Sequence, residues 1–170
     1  WRAENFNSFE NIRINRLTDS GRIGITAISP DGNYVAYSQA DDAGREGLWL
    51  RHVSTAGAVE IIPALTASFF SLSFPPDGSH LYYIIKDRRN EAPPTLYRIP
   101  ISGGKPEKLI SNINSRFAFS SKGRFMAFFR HLEGEGTALF IADLENWRER
   151  RLAVRKEPAG FLNTGVAWSP

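Results

Sequence analysis

The chain has 170 residues, and at about 150 residues per domain this length predicts a single domain. Its net charge of +3 is too small to indicate a nucleic-acid clamp, and the absence of cysteine excludes disulfide scaffolds, thiolate metal sites and cysteine nucleophiles. No apolar run approaches the roughly 18 residues of a membrane-spanning helix, so we expect no membrane insertion by this segment.

The first predicted element is a strand over residues 12–18. Its end, Arg16-Leu17-Thr18, resembles Lys108-Leu109-Ile110 much later in the chain. Because the chain opens on Trp1 and no signal-peptide pattern follows, we expect that this segment comes from a longer protein.

A turn motif then recurs along the chain. Its copies are Ile28-Ser29-Pro30-Asp31-Gly32, Phe74-Pro75-Pro76-Asp77-Gly78, Phe119-Ser120-Ser121-Lys122-Gly123 and the incomplete Trp168-Ser169-Pro170. Proline presets φ at the second turn position, aspartate bonds to the local backbone, and glycine accepts a positive φ. The motif predicts tight connections between antiparallel strands, with positive φ at Gly32 and Gly78.

Short apolar runs keep step with this turn. The run that follows each turn is rich in aromatic residues: Tyr34-Val35-Ala36-Tyr37, Leu81-Tyr82-Tyr83-Ile84 and Phe125-Met126-Ala127-Phe128. Two further runs follow in each unit, and an apolar stretch precedes each turn. Each unit is therefore predicted to hold four strands, which we call A, B, C and D in chain order.

Four antiparallel strands in a unit of about 46 residues are typical of a β-propeller blade. We predict an all-β fold, a partial β-propeller in which residues 1–170 form one segment of three four-stranded antiparallel blades plus flanking strands. The blades are placed at 23–62, 69–110 and 115–154, after the last strand of a preceding blade at 12–18 and before the first strand of a following blade at 165–170. The alternative is a β-sandwich with regularly spaced turns, although a sandwich does not require a repeated turn motif.

Aromatic residues at matching positions of strand B, Tyr37, Tyr83 and Phe128, are predicted to pack between blades. Each large aromatic side chain that is fully buried there contributes about 1.5–3 kcal/mol. An arc of three blades leaves apolar faces at both ends, so we expect self-association through open blade edges.

Catalytic motifs are scarce. The chain has neither a Gly-x-Ser-x-Gly elbow nor a phosphate-binding Gly-rich loop, and His52, His80 and His131 fall at unrelated positions of the repeat. Asp31 and Asp77 stand at equivalent turn positions, where turn capping explains them better than paired acid–base chemistry. We therefore expect no catalytic residue, no metal site and no cofactor.

The turns together with the Tyr-Val-Ala-Tyr, Leu-Trp and Leu-Tyr strands resemble the TolB-type propeller repeat, a relative of WD repeats. The phrase Leu96-Tyr97-Arg98-Ile99-Pro100 with Gly103-Gly104 resembles propellers fused to bacterial serine/threonine kinases and winged-helix regulators. The resemblance implies a protein-binding sensor module and favours a periplasmic or extracytoplasmic location. Pro75 in the second turn and Ser121-Lys122 in the third depart from the family's pattern.

By analogy with other propellers, ligands are expected on the face that carries the B-to-C loops and the connections between blades. Arg116 lies near the start of a strand A, which would line the central channel, and a charged group there suggests a polar ligand or a partner segment. The candidate binding residues are Arg116 and, on this face, Asp41, Asp42, Arg45, Arg88, Arg89, Asn114 and His131.

The leading hypothesis is a non-catalytic module that binds a protein or peptide and no nucleic acid. The first alternative is the substrate-gating propeller of a prolyl-oligopeptidase-like serine peptidase, whose catalytic domain would lie outside this chain. A further alternative is a propeller lyase acting on sugar acids, which would need clustered histidines and metal-binding groups.

Overall fold

The computed structural model describes residues 16–18, 20–55, 57–156, 161 and 165–169. In these ranges the chain forms twelve strands and no helix. The strands are β1 (Ile23–Ile28), β2 (Tyr34–Ala40), β3 (Glu46–His52), β4 (Ala58–Leu65), β5 (Ala67–Ser73), β6 (His80–Asp87), β7 (Thr95–Pro100), β8 (Glu107–Ser111), β9 (Ala118–Phe119), β10 (Phe125–Leu132), β11 (Gly136–Asp143) and β12 (Glu149–Arg155).

These strands form three separate four-stranded sheets, and in each sheet consecutive strands pair antiparallel in chain order. We call β1–β4 blade 1, β5–β8 blade 2 and β9–β12 blade 3. The first strands of blades 1 and 2, β1 and β5, approach each other, as the inner strands of a radial arrangement do. The predicted all-β partial propeller is confirmed, and the sandwich alternative, which needs two packed layers, is not observed.

The predicted turns close each A–B hairpin. Gly32 N donates to Ser29 O at 2.9 Å, and the equivalent bonds run from Gly78 N to Pro75 O and from Gly123 N to Ser120 O. Gly32 and Gly78 adopt φ of 73° and 65°, which confirms the predicted positive values. Positive φ is accessible to glycine without the steric cost that a Cβ imposes.

The turns of neighbouring blades also touch each other. A Cβ built on Gly78 would lie 3.7 Å from Pro30 Cδ, and one built on Gly123 would lie 3.2 Å from Pro76 Cδ. The proline of one turn therefore packs on the glycine of the next. The repeated motif thus serves two purposes, closing a hairpin and packing successive blades.

Two hydrophobic cores lie between the blades. The core between blades 1 and 2, which we call seam 1, includes Leu48, Ile62 and Tyr83. The core between blades 2 and 3, which we call seam 2, includes Ile84 and Phe128. Successive residues of a strand point to opposite faces, so Tyr83 faces blade 1 while Ile84 faces blade 3.

The predicted aromatic layer is found in both seams, with Tyr83 in seam 1 and Phe128 in seam 2. Tyr37 is also buried, at 5% exposure, but it belongs to neither core. Side chains of β2 point alternately to the two faces of blade 1, so Ala36 faces blade 2 and Tyr37 faces the opposite side.

The flanking strands stay predictions. Residues 12–15 and 170 lie outside the described residues, and neither 16–18 nor 165–169 is assigned to a strand. A strand is defined by its hydrogen-bond ladder with a neighbour, and these two segments have no ladder partner in the described part of the chain. Trp168 instead donates a side-chain hydrogen bond to Ala118 O at 2.8 Å.

Candidate functional site

The B-to-C loops lie beside the connections between consecutive blades, at one end of the sheets. A backbone hydrogen bond from Arg88 N to Thr66 O, at 3.1 Å, joins the two kinds of loop. Asn114, in the connection between blades 2 and 3, donates from its backbone N to Phe129 O of strand β10 at 3.1 Å. We call this end of the molecule the loop end. It carries all the candidate binding residues except Arg116.

Asp41 organises the loop of blade 1. Its Oδ1 accepts hydrogen bonds from the backbone N–H groups of Ala43 and Arg45, and its Oδ2 accepts one from Arg45 Nε at 2.8 Å. These bonds, above all the one from the Arg45 backbone, hold the pKa of Asp41 below its ordinary value. Asp42 is exposed and pairs with Arg22 at 2.5 Å. Both carboxylates of this loop therefore have a cationic partner nearby.

Asp87 has the same role in blade 2. Its carboxylate accepts hydrogen bonds from the backbone and guanidinium of Arg89, at 2.7–2.9 Å, and from Asn90 Nδ2 at 3.2 Å. These bonds, chiefly those of the Arg89 side chain, lower the pKa of Asp87 to about 2. Arg88 donates across the blade boundary to Gly44 O. The structure thus joins the loops of blades 1 and 2 through Arg88.

Asn114 and His131 come together in blade 3. Asn114 Oδ1 accepts a hydrogen bond from the backbone N of His131 at 2.9 Å, and the His131 side chain is exposed. The asparagine amide is therefore used to fix the connection between blades 2 and 3 against strand β10. The eight candidates do not converge on one point: those of blades 1 and 2 form one group, and this pair forms another.

Arg116 lies apart from both groups, beside the inner strands β1 and β5. It lines a cleft of about 270 Å³, which we call the inner cleft. The inner cleft is bounded by Gly24, Ile25, Thr26, Phe70, Ser71, Leu72 and Arg116. The Arg116 side chain forms no hydrogen bond or ion pair with another described residue, and Phe70 is 48% exposed. A cleft lined by a guanidinium and an exposed ring can bind a carboxylate or a planar polar group.

Phe70 was not predicted from the sequence. The β5–β6 register shifts between Phe69 and Ser71, so the alternation of strand faces is interrupted at Phe70. Phe69 packs in seam 1, whereas Phe70 is exposed and lines the inner cleft.

A larger cleft of about 410 Å³, also missed by the sequence analysis, opens at seam 1. Ile62 and Leu65 of blade 1 line one side, and Tyr83, Ile85 and Tyr97 of blade 2 line the other. We call it the seam cleft. It extends from the loop end toward the outer strands and is separate from the inner cleft in its lining residues.

The described ranges hold neither a metal-binding cluster of side chains nor a membrane-spanning helix. They contain no group of three or more histidine, aspartate or glutamate side chains able to hold a metal ion. His52 packs edge-on against Tyr34, with ring centroids 5.0 Å apart, and His80 lies beside Ser79. Across the same ranges, no helix has the length and apolar character needed to span a bilayer.

Three radially packed, four-stranded antiparallel blades that share one turn motif decide the fold. This is the fold of a TolB-type β-propeller. The chain is similar to TolB from Acinetobacter baumannii, with a TM-score of 0.63 and 19% identity over 81% of this chain and 34% of that protein. No family model and no curated protein sequence matches the chain.

The similarity extends to propellers of hydrolytic enzymes. The β-propeller domain of the Trilobed protease from Pyrococcus furiosus matches with a TM-score of 0.59 and 16% identity, over 78% of this chain and 43% of that one. A puromycin hydrolase matches with a TM-score of 0.66 and 18% identity, over 89% of this chain and 25% of that one. The chain thus spans between a quarter and under half of these structures, and at such identities the likeness establishes the fold alone.

Proposed function

We propose that this TolB-type propeller is a non-catalytic binding module of a larger bacterial sensor or regulatory protein, with a protein or peptide as its partner. The observation that carries the proposal is the inner cleft. There the exposed Phe70 and Arg116, whose guanidinium has no partner among the described residues, line the same cleft. This pairing favours a partner segment that carries a carboxylate next to an aromatic or apolar side chain.

The loop end supports a binding role through its rigidity. Asp41 and Asp87 each close their own loop with several hydrogen bonds, and Arg88 ties the two loops together. A surface that is ordered before it binds loses less conformational entropy when a partner docks. The extracytoplasmic location implied by the sequence resemblance is part of the same proposal, as is self-association through the open blade faces.

A direct test uses a fluorescein-labelled peptide of alternating glutamate and tyrosine, titrated into the 170-residue chain by fluorescence anisotropy. We expect Arg116→Ala and Phe70→Ala each to weaken binding about tenfold, the change that corresponds to roughly 1.4 kcal/mol. Arg150→Ala, which removes an exposed arginine of strand β12, is the matched control and should leave the affinity unchanged. Equal affinity in all four proteins would contradict the proposed role of the inner cleft.

The second candidate function is the substrate-gating propeller of a prolyl-oligopeptidase-like serine peptidase. Similarity to the propeller domain of a protease and to a puromycin hydrolase favours it. The sequence encoded on either side of this segment separates the two candidates. A Gly-x-Ser-x-Gly hydrolase domain would support the peptidase, whereas a kinase or winged-helix domain would support the sensor.

A further inference from the structure

In seam 2, an ion pair occupies the space beside two stacked aromatic rings. Phe128 and Phe140 stack with ring centroids 5.8 Å apart, and the Arg130 guanidinium covers both rings at 5.3 and 4.7 Å. Arg130 also pairs with Glu149 at 2.6 Å and donates to Asn112 O at 2.9 Å. An ion pair lying on two aromatic rings therefore fills this part of seam 2.

Seam 1 repeats the aromatic pair without the ion pair. Tyr83 and Tyr97 stack at 5.7 Å with an interplanar angle of 13°. Ile85 stands seven residues after the turn glycine of its blade, the position that Arg130 holds in blade 3. The seam cleft lies where the Arg130 guanidinium would reach.

The acidic partner is missing from seam 1 as well. Lys108 pairs with Tyr97 across the β7–β8 ladder, as Arg151 pairs with Phe140 across β11–β12. Two residues before Lys108 stands Pro106, at the position that Glu149 holds before Arg151. Both charged side chains of the ion pair are thus replaced by shorter apolar ones, which leaves the cleft of about 410 Å³.

The wall of the seam cleft carries polar groups that nothing in the described chain satisfies. Tyr83 is a buried residue that lines the cleft, and neither its hydroxyl nor that of Tyr97 forms a hydrogen bond with a described residue. Burial and the neighbouring Tyr97 raise the pKa of Tyr83 well above its ordinary value, so the phenol stays protonated and can donate. Neither hydroxyl is among the buried side-chain atoms without a partner in the described ranges, so both are open to the cleft, where a ligand can accept a hydrogen bond from them.

The charges around the cleft indicate what that ligand carries. Asp87 is the one acid of the lining, and both of its oxygens already accept hydrogen bonds from Arg89 or Asn90. Lys108 lines the outer part of the cleft without an ion-pair partner among the described residues. The lining of the cleft is therefore apolar for the most part, has hydrogen-bond donors without a partner, and carries more positive than negative charge.

We propose that the seam cleft binds an aromatic ring that bears a carboxylate. The ring lies in the apolar space between Ile62, Ile85 and the Tyr83–Tyr97 pair, and the carboxylate accepts hydrogen bonds from Lys108 and a tyrosine hydroxyl. A cleft of this volume is within the range of about 300–1,000 Å³ that small-molecule sites occupy. The same group occurs in a free aromatic acid and in a peptide that ends in phenylalanine. This site lies outside the inner cleft and does not depend on the function proposed above.

The test is a calorimetric titration of the 170-residue chain with 3-phenylpropanoate and with N-acetyl-Gly-Gly-Phe, each compared with its neutral amide. We expect saturable binding of at least one carboxylate and affinity about tenfold weaker for its amide, because a charge-assisted hydrogen bond is lost. Whichever probe binds more tightly identifies the source, a free acid or a peptide terminus. Equal affinity for acid and amide, or no binding of either acid, would overturn the proposal.

Variants locate the site. Lys108→Gln should weaken binding of the acid about tenfold, and Tyr83→Phe a few-fold, while Lys105→Gln, an exposed lysine in the preceding turn, serves as the control. Ile85→Arg combined with Pro106→Glu transplants the ion pair of seam 2 into the cleft and should abolish binding. Circular dichroism and an unchanged affinity for the neutral amide show that the Lys108→Gln variant is folded. Unchanged affinity of this variant for the acid would contradict the assigned site. Failure here leaves the test of Arg116 and Phe70 untouched, because their cleft shares no lining residue with this one.

Discussion

Seams 1 and 2 use the same strand positions and differ in what lies on the aromatic pair. Seam 2 covers Phe128 and Phe140 with Arg130, whereas seam 1 leaves Tyr83 and Tyr97 beside an open cleft. The backbone hydrogen-bond ladders and the stacked rings recur in both seams. The repeat therefore specifies the blade and its apolar layer, and a few side chains outside the repeated pattern decide whether a seam is closed or open to a ligand.

The largest effect is expected from Arg130→Met. The Arg130 side chain is only 15% exposed, and its removal leaves Glu149 and the carbonyl oxygens of Ser111 and Asn112 without their donor. We expect the free energy of unfolding to fall by about 2 kcal/mol, less than for a fully buried pair because Glu149 retains some contact with water. Urea denaturation measures it.

Two further variants make this prediction specific. Arg151→Met breaks the exposed pair with Glu135 and should cost about 0.5 kcal/mol or less. The double variant Arg130→Met/Glu149→Met removes both charges of seam 2 and should recover part of the lost stability. Equal losses for Arg130→Met and Arg151→Met would mean that Arg130 does not hold seam 2 together.

The next effect comes from exchanging the rings of the two seams. Phe128 is fully buried, so Phe128→Tyr places a hydroxyl in seam 2 without a free partner and should cost about 1–2 kcal/mol. Tyr83→Phe removes a hydroxyl that has no described partner, so we expect a change within about 0.5 kcal/mol. Chemical denaturation measures the free energy of unfolding of both variants. Equal losses of this free energy in the two variants would contradict the proposed difference between the seams.

The turn glycines give a smaller contrast. Gly78→Ala should cost about 1 kcal/mol from its positive φ, since the added Cβ meets Pro30 at an ordinary 3.7 Å. Gly123→Ala adds a tighter contact of 3.2 Å with Pro76 and should cost roughly 0.5 kcal/mol more. Thermal melts of the two variants are the measurement. A neutral Gly78→Ala would show that the turn conformation is misassigned.

The smallest effect is a local response to acid. The pKa of Asp87 in the folded chain is about 2, below its value in the unfolded chain. The stabilisation that its ionised carboxylate gives is therefore fully present above about pH 4 and is lost as the pH falls through 2. In blade 3 the loop connection is fixed by Asn114, whose amide does not titrate. NMR of the backbone amides should show Arg89 shifting with a midpoint near pH 2 while His131 stays constant from pH 4 downward. A midpoint for Arg89 near pH 4 would contradict the assigned hydrogen bonds.

The repeated turn made the fold predictable, because proline, aspartate and glycine act through local backbone geometry that the sequence displays directly. The stacking of Pro76 on Gly123 was not predictable in this way, since it depends on how two blades are placed. The placement of Arg116 near the start of a strand A followed from the repeat register. The seam cleft did not, because it arises from residues that depart from their equivalents, Ile85 and Pro106, and only an alignment of the blades against the known contacts of Arg130 reveals it.

The central claim is that three small sheets pack side by side with their turns in contact. Nuclear Overhauser effects between the turns test it most directly. We predict cross-peaks from the Pro30 δ protons to the Gly78 α protons and from the Pro76 δ protons to the Gly123 α protons. Intact cross-peaks within each hairpin, together with the absence of both contacts between hairpins, would contradict it.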